Sequence, residues 1–289
     1  MGASMSISNS SSVWTIRERD LDYGKNILLM GILNVTPDSF SDGGFFYTPE
    51  NALSQAVALV EDGADILDIG AESTRPGSEK ISADEELSRL IPALDLIRSA
   101  VSVPISIDTY KSKTAREALK FGADIINDIW GLQYDKEMAD VVAESGCGLV
   151  IMANYFDEKI FKRKGDIVDD CLSFFEISAN IAEKAGIKRE KILFDPGIGF
   201  GTNTEESVKL IRSIRRIQDA GFPLLIGPSR KRFIGEILDG VPAEERDAGT
   251  AAVTLFCQEQ KAACVRVHNV FESATALKVF TRLRGGEHG

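Results

Sequence analysis

The sequence predicts a single parallel eight-stranded (β/α)8, or TIM, barrel, and three observations carry that expectation. Eight short, β-branched runs alternate with longer stretches of helical periodicity, with no linker between them. Nearly every run ends in a reactive polar side chain, at the C-terminal end where barrel enzymes gather their active sites. No Gly-x-Gly-x-x-Gly follows the first run, so the dinucleotide-binding form of the doubly wound sheet lacks support.

Residues 1–18, Ser/Asn-rich through Ser12, read as a disordered leader or a remnant of expression, with one barrel domain expected over residues 19–289. The opening Met1-Gly2-Ala3-Ser4-Met5-Ser6 formally fits a myristoylation pattern, a reading its low-complexity continuation does not favour. Strands are expected at 27–34, 66–70, 104–108, 124–128, 148–152, 192–195, 223–227 and 264–267. Helices are expected at 49–61, 83–100, 113–121, 136–144, 167–185, 204–220, 231–238 with 244–260, and 271–283. Three strands follow a turn whose glycine (Gly63, Gly122, Gly146) sits where a helix must stop and reverse. The stretches 37–46 and 75–80 are long for strand–helix connections and read as mobile lids.

With 33 Lys+Arg against 44 Asp+Glu, the net charge of −11 argues against a nucleic-acid partner or a polybasic membrane surface. It also disfavours, at first sight, a polyanionic substrate. Cys147, Cys171, Cys257 and Cys264 are scattered without a CxxC pair and read as buried thiols of a reducing, cytoplasmic compartment. No apolar run reaches the roughly 18 residues that a membrane span needs, and no basic-then-apolar signal opens the chain.

The strand ends carry the chemistry. Asn34 closes the first strand; its amide oxygen suits Mg²⁺ or caps a turn. In the second, Ile66, Asp68 and Gly70 share one face and Leu67 and Ile69 the other, which turns Asp68 inward as a barrel hydrogen-bonder or a site carboxylate. Arg75, on the following Pro-Gly loop, is an anion clamp or an exposed loop residue. Asp108, the pair Asn127-Asp128, and Asp195 end the third, fourth and sixth strands. One such carboxylate is usually a cap, but several converging on one mouth suit a ligand rich in N–H donors. After the seventh strand comes Gly227-Pro228-Ser229-Arg230-Lys231-Arg232, and Arg266 and His268 alternate around Val267 in the eighth. Loops seven and eight are where barrels build phosphate sites, although a Ser-Arg-Lys-Arg run can also be a solvated turn. The chain has only two histidines, one of them in the Gly-rich tail, which excludes a multi-His zinc site. No nucleophile elbow or Walker loop is present.

Together these motifs resemble the dihydropteroate synthase family of pterin-binding barrels. The matching segments are Leu33-Asn34-Val35-Thr36-Pro37-Asp38-Ser39-Phe40-Ser41-Asp42-Gly43-Gly44, Asp68-Ile69-Gly70 with Glu72-Ser73-Thr74-Arg75-Pro76-Gly77, and Ile107-Asp108-Thr109. Ile126-Asn127-Asp128, Asp195-Pro196-Gly197-Ile198-Gly199-Phe200-Gly201, Ser229-Arg230-Lys231 and Arg266-Val267-His268 complete the ordered set. The resemblance implies a transferase of folate biosynthesis, a sulfonamide target, that joins 6-hydroxymethyl-7,8-dihydropterin diphosphate to 4-aminobenzoate with release of diphosphate.

It further implies that Asp108, Asn127, Asp195 and Lys231 hold the pterin, with Met152, Phe200, Gly227 and Ser229 also lining the substrate site. Asn34, Arg266 and His268 would bind the diphosphate with Mg²⁺, Asn34 being the metal ligand. Thr74 and Arg75 would lie in a loop that, with 36–44, closes over the aminobenzoate. Asp108, Lys231, Arg266 and His268 would carry catalysis, and a homodimer through barrel helices is expected. Three departures stand out: Met152-Ala153-Asn154 where Met-His-Met is usual, Thr202 where Lys is usual, and Asn269 where Asp is usual. A methyltetrahydrofolate-binding methyltransferase domain and a pterin-binding paralogue that has lost catalysis are the alternatives; Lys231, Arg266 and His268 count against the former. The anion objection becomes local: Arg75, Lys231, Arg266 and His268 are expected at one mouth, within a screening length of about 8 Å.

Overall fold

The structure, a computed structural model, describes residues 12–36, 48–73 and 79–285. An antiparallel hairpin of β1 (Val13–Ile16) and β2 (Arg19–Asp22) comes first. The barrel follows as β3 (Leu28–Asn34), α1 (Pro49–Glu61), β4 (Ile66–Gly70), α2 (Ala83–Ala100), β5 (Ile105–Asp108), α3 (Ser112–Lys120), β6 (Ile125–Asp128) and α4 (Met138–Ser145). Its second half is β7 (Gly148–Met152), α5 (Ile167–Lys184), β8 (Ile192–Asp195), α6 (Thr204–Arg212), α7 (Ile214–Asp219), β9 (Leu225–Ile226), α8 (Arg232–Ile237), α9 (Asp247–Glu259), β10 (Cys264–Val267) and α10 (Val270–Leu283).

The eight barrel strands run in the order β8-β7-β6-β5-β4-β3-β10-β9, each neighbouring pair parallel. A parallel bridge from Phe194 to Leu224, with the Phe194 N–H donating to the Pro223 carbonyl at 2.9 Å, joins β8 to the approach of β9 and completes the ring. The expected barrel is therefore present; four strands have the expected bounds, and β3, β5, β6 and β9 are shorter by one to three residues.

Period-two alternation sorts the side chains into two cores. Leu67, Ile69, Ile105, Ile107, Ile126 and Leu149 point outward into the layer shared with the helices. Leu28, Met30, Ile66, Ile125, Val150, Leu193 and Leu225 point inward and fill the lower half of the barrel. Trp14 and Ile16, 1% and 2% exposed, close that end from below. The Trp14 indole donates to the Lys191 carbonyl at 2.9 Å, so its one polar atom is satisfied.

This corrects the leader expected over residues 1–18. Val13–Ile16 is a strand, because two large apolar side chains spaced two apart reach the open bottom of the barrel together. Residues 1–11 lie outside the described residues, as do 37–47, 74–78 and 286–289, and with them all of the expected lid 37–46 and most of 75–80. A second correction concerns 204–220, which forms two helices. The Ser213 N–H is shared between the Lys209 and Leu210 carbonyls at 3.1 and 3.0 Å, a tightened turn that ends α6 before α7 begins. The four cysteines are buried and unpaired; burial pushes the Cys171 thiol up to about 12, well away from reactivity.

Candidate active site

Register places the polar strand ends at one level. Asn34 pairs with Gly70, Gly70 with Asp108, and Asp108 with Asn127 across β3 to β6, while Met152 pairs with Asp195 across β7 and β8. One layer down, Asp68 sits beside Ser106. Asp68 faces inward, as its alternation with Leu67 and Ile69 requires, and is fully buried.

Asp68 is the hub of the site, a role its sequence context left open. Its Oδ2 accepts from Arg266 Nε at 2.5 Å and from Asn127 Nδ2 at 3.2 Å. Arg266 also donates from Nη2 to Asp108 Oδ2 at 2.9 Å. One carboxylate oxygen thus fixes a residue assigned to the diphosphate and another assigned to the pterin. Asp68 Oδ1 and the neighbouring Ser106 Oγ are buried without a hydrogen-bond partner among the described residues, an arrangement that a bound polar ligand or ordered water would relieve.

The electrostatics follow from burial. Desolvation pushes the Asp108 carboxyl up to about 7, with the charges of Asp68 and Glu86 adding and Arg266 and Lys231 opposing. Burial likewise raises Asp195 to about 6, although its Oδ1 accepts the Gly197 N–H at 2.8 Å. Lys231 is lowered to about 8, chiefly by desolvation, with its ammonium 4.1 Å from the centre of the Phe200 ring. His268 is driven down to about 3 by burial first and then by Arg266, Arg230 and Lys231.

Of the four groups expected at one mouth, Lys231, Arg266 and His268 lie near one another. Arg266 is matched by two carboxylates, and burial beside three cations pushes the His268 imidazole toward its neutral, hydrogen-bonding form. Arg75 and Thr74 lie outside the described residues.

The loop after β8 explains its glycines. Gly197 has φ +71°, and a Cβ there would lie 1.8 Å from the Ala153 carbonyl oxygen, so only glycine lets the two loops cross. The crossing carries Phe200 to the mouth, where it packs on the cluster of Tyr110, Ile129, Trp130 and Met152. Gly227 leaves the wall beside Asp195 bare, since a Cβ would meet Asp195 Oδ2 at 3.5 Å. Ser229 Oγ lies 2.9 Å from His268 Nδ1. Asp128, by contrast, is a turn anchor: it accepts the N–H groups of Trp130 and Leu132 at 2.9 and 2.7 Å.

Each departure from the family pattern has a local structural task. Asn154, 1% exposed, donates to the Ile129 carbonyl at 3.1 Å and accepts the Phe156 N–H at 3.1 Å. Thr202 Oγ1 accepts the Gly199 N–H at 2.8 Å. Asn269 caps α10 by accepting the Glu272 N–H at 3.1 Å and donates to Asp247 Oδ2 at 3.0 Å. Sequence reasoning missed a flanking network: Lys111 is ion-paired with Glu72 and Glu86, and the Tyr110 hydroxyl donates to Glu72 at 2.9 Å. Its signals in the sequence were Glu72, within a quoted motif, and Lys111, three residues after Asp108.

For a metal, the described residues hold no group of three or more His, Cys, Asp or Glu side chains that could form a cage. They do present hard oxygens at the mouth: a Cβ on Gly70 would lie 3.7 Å from Asn34 Oδ1 and 3.8 Å from Asp108 Oδ2. That donor set fits Mg²⁺, which takes few protein ligands and completes its shell from phosphate and water.

Fold and mouth define an α/β-barrel enzyme whose site sets buried carboxylates beside an arginine. Residues 30–268 match the family model described as pterin binding enzyme. The dihydropteroate synthase of Bacillus subtilis (strain 168) is 44% identical over 270 residues, 93% of each chain. The structure of Xanthomonas albilineans dihydropteroate synthase with 4-aminobenzoic acid superposes with a TM-score of 0.89 at 38% identity, covering 96% of this chain and 99% of that one. The same enzyme in complex with 7,8-dihydropteroate gives 0.84 at 36% identity, over 94% and 99%. This chain belongs to the pterin-binding enzymes and, within them, to the dihydropteroate synthases, transferases of folate biosynthesis.

Proposed function

We propose that this barrel mouth joins 6-hydroxymethyl-7,8-dihydropterin diphosphate to 4-aminobenzoate, with Mg²⁺, and releases diphosphate. The observation that carries the reading is the Asp68 hub, which ties Asn127 to Arg266 through one oxygen. Asp195 and Asn127 would accept from and donate to the pterin edge, with Lys231, Met152, Phe200, Gly227 and Ser229 around it. Arg266, His268 and Asn34 would hold the diphosphate.

The amine nitrogen bonds to the pterin methylene carbon as the carbon–oxygen bond breaks. The electron pair leaves with the diphosphate, and the surplus proton on the amine nitrogen passes to water or to the released diphosphate. Arg266 opposes the charge growing on the leaving oxygens. Asp108, when ionised, stabilises the positive charge developing at the methylene. Mg²⁺, when bound, would neutralise the diphosphate oxygens, with Asn34 as its protein ligand. Thr74 and Arg75 would belong to the loop covering the amine.

The working form we propose is a homodimer through barrel helices; Phe271, Val279 and Leu283 on α10 stand 60%, 56% and 80% exposed. A cytoplasmic setting fits the four unpaired thiols, and no helix among the described residues is long and apolar enough to cross a membrane. Incubation with both substrates and Mg²⁺ tests the reaction. Diphosphate release that requires 4-aminobenzoate is expected; pterin binding without release would overturn the synthase reading.

A further inference from the structure

His268 can carry its proton on either ring nitrogen, and the choice decides which edge of the ring can donate to an anion. The Ser229 hydroxyl settles that choice. Ser229 is 5% exposed, and its Oγ accepts the backbone N–H of His268 at 3.0 Å while lying 2.9 Å from Nδ1 of the same residue. The hydroxyl has one hydrogen to give, and among the described residues Nδ1 is the only acceptor that its hydrogen bonds include. A proton on Nδ1 would leave that hydrogen without an acceptor in a buried place. With Oγ–H donating to Nδ1, the hydroxyl both donates and accepts, Nδ1 has its donor, and the ring proton belongs on Nε2.

We propose that Ser229 is a positioning residue that locks His268 as the Nε2–H tautomer, so that an uncharged imidazole donates to the leaving diphosphate. The inference rests on the diphosphate reading above and deepens it, because Ser229 then acts through His268 in addition to lining the substrate site. Four charged groups surround the ring: Arg266, Arg230 and Lys231 disfavour an imidazolium, and Asp247 favours one. Asp247 is itself engaged, accepting from Arg230 Nε and Nη2 at 2.7 Å each and from Asn269. A neutral donor in this setting strengthens anion binding without adding a further cation to a crowded mouth.

The chain's two histidines make the tautomer directly observable. The full chain carrying His288→Gln and ¹⁵N-labelled histidine leaves a single imidazole to read by NMR. Near pH 7 the expected spectrum shows a protonated Nε2 and an unprotonated Nδ1. Ser229→Ala should give a tautomer mixture and weaken binding of inorganic pyrophosphate with Mg²⁺ about tenfold, as expected for loss of one aligned donor to a charged group. Ser229→Thr, which keeps the hydroxyl, should restore both. A protonated Nδ1 in the parent protein, or a tautomer unmoved in folded Ser229→Ala, would overturn the inference. Should the parent protein show no pyrophosphate affinity, the functional reading falls, and with it the role as a donor to diphosphate. The spectrum of the free protein still decides whether Ser229 sets the tautomer.

Discussion

The two ends of the barrel interior differ over a distance of two residues. On β4 the inward face changes from Ile66 to Asp68, on β6 from Ile125 to Asn127, on β8 from Leu193 to Asp195, and on β10 from Cys264 to Arg266. Two residues are about 7 Å of strand. Below that line the ring is apolar and capped by Trp14 and Ile16; above it buried charges face one another and two polar atoms lack partners among the described residues. The lower ring supplies stability, and the upper ring holds charges at a cost that a polar, anionic ligand can relieve. One set of strands therefore divides stability and chemistry by level.

The comparison can be broken from either end. The largest effect is expected above the line. Arg266→Ala should lower kcat/KM about a thousandfold, roughly 4 kcal/mol of barrier, when steady-state kinetics are normalised to folded protein. Below the line, Trp14→Ala should cost about 3 kcal/mol and lower Tm by about 5 °C in thermal unfolding, with kcat/KM per folded molecule unchanged. A kinetic defect there would erase the distinction between the ends.

Lys231→Ala should reduce turnover about a hundredfold, since it removes the ammonium beside Phe200 and a positive charge that opposes the rise of Asp195; equal kinetics would refute the site arrangement.

The smallest effect concerns stability at the mouth. The Asp108 carboxyl is raised from 3.8 to about 7, so its stabilising contribution is present below pH 4 and lost as pH rises through 7. Asp108→Asn should therefore gain about 1–2 kcal/mol over the parent protein at pH 8, a gain that shrinks to nothing toward pH 4, while activity is lost. Paired thermal melts across that range check the sign. With Asp108 ionised and Lys231, near 8, still charged, the parent kcat/KM should peak between about 7 and 8.

The barrel itself was legible because period-two and helical patterns alternate eight times and because Asp108, Asn127, Asp195, Lys231, Arg266 and His268 stand in fixed order at strand ends. Alternation with Leu67 and Ile69 also turned Asp68 inward. What Asp68 does was not legible: its bonds to Arg266, on β10, and Asn127 span 198 and 59 residues of sequence. The neutrality of His268 depends on desolvation and on three neighbouring cations, quantities that residue spacing does not contain. The hairpin strand Val13–Ile16 was hidden because four residues after a serine run carry too little periodicity, and only the open barrel bottom gives Trp14 a place to go.

The central claim is that the charged upper ring performs the condensation while the apolar lower ring does not touch it. Diphosphate release, measured with both substrates and Mg²⁺ on the parent chain, Arg266→Ala and Trp14→Ala at a temperature where all three are folded, tests this most directly. The expected result is parent-like release by Trp14→Ala and release reduced about a thousandfold by Arg266→Ala. Release retained by Arg266→Ala, or lost by folded Trp14→Ala, would contradict it.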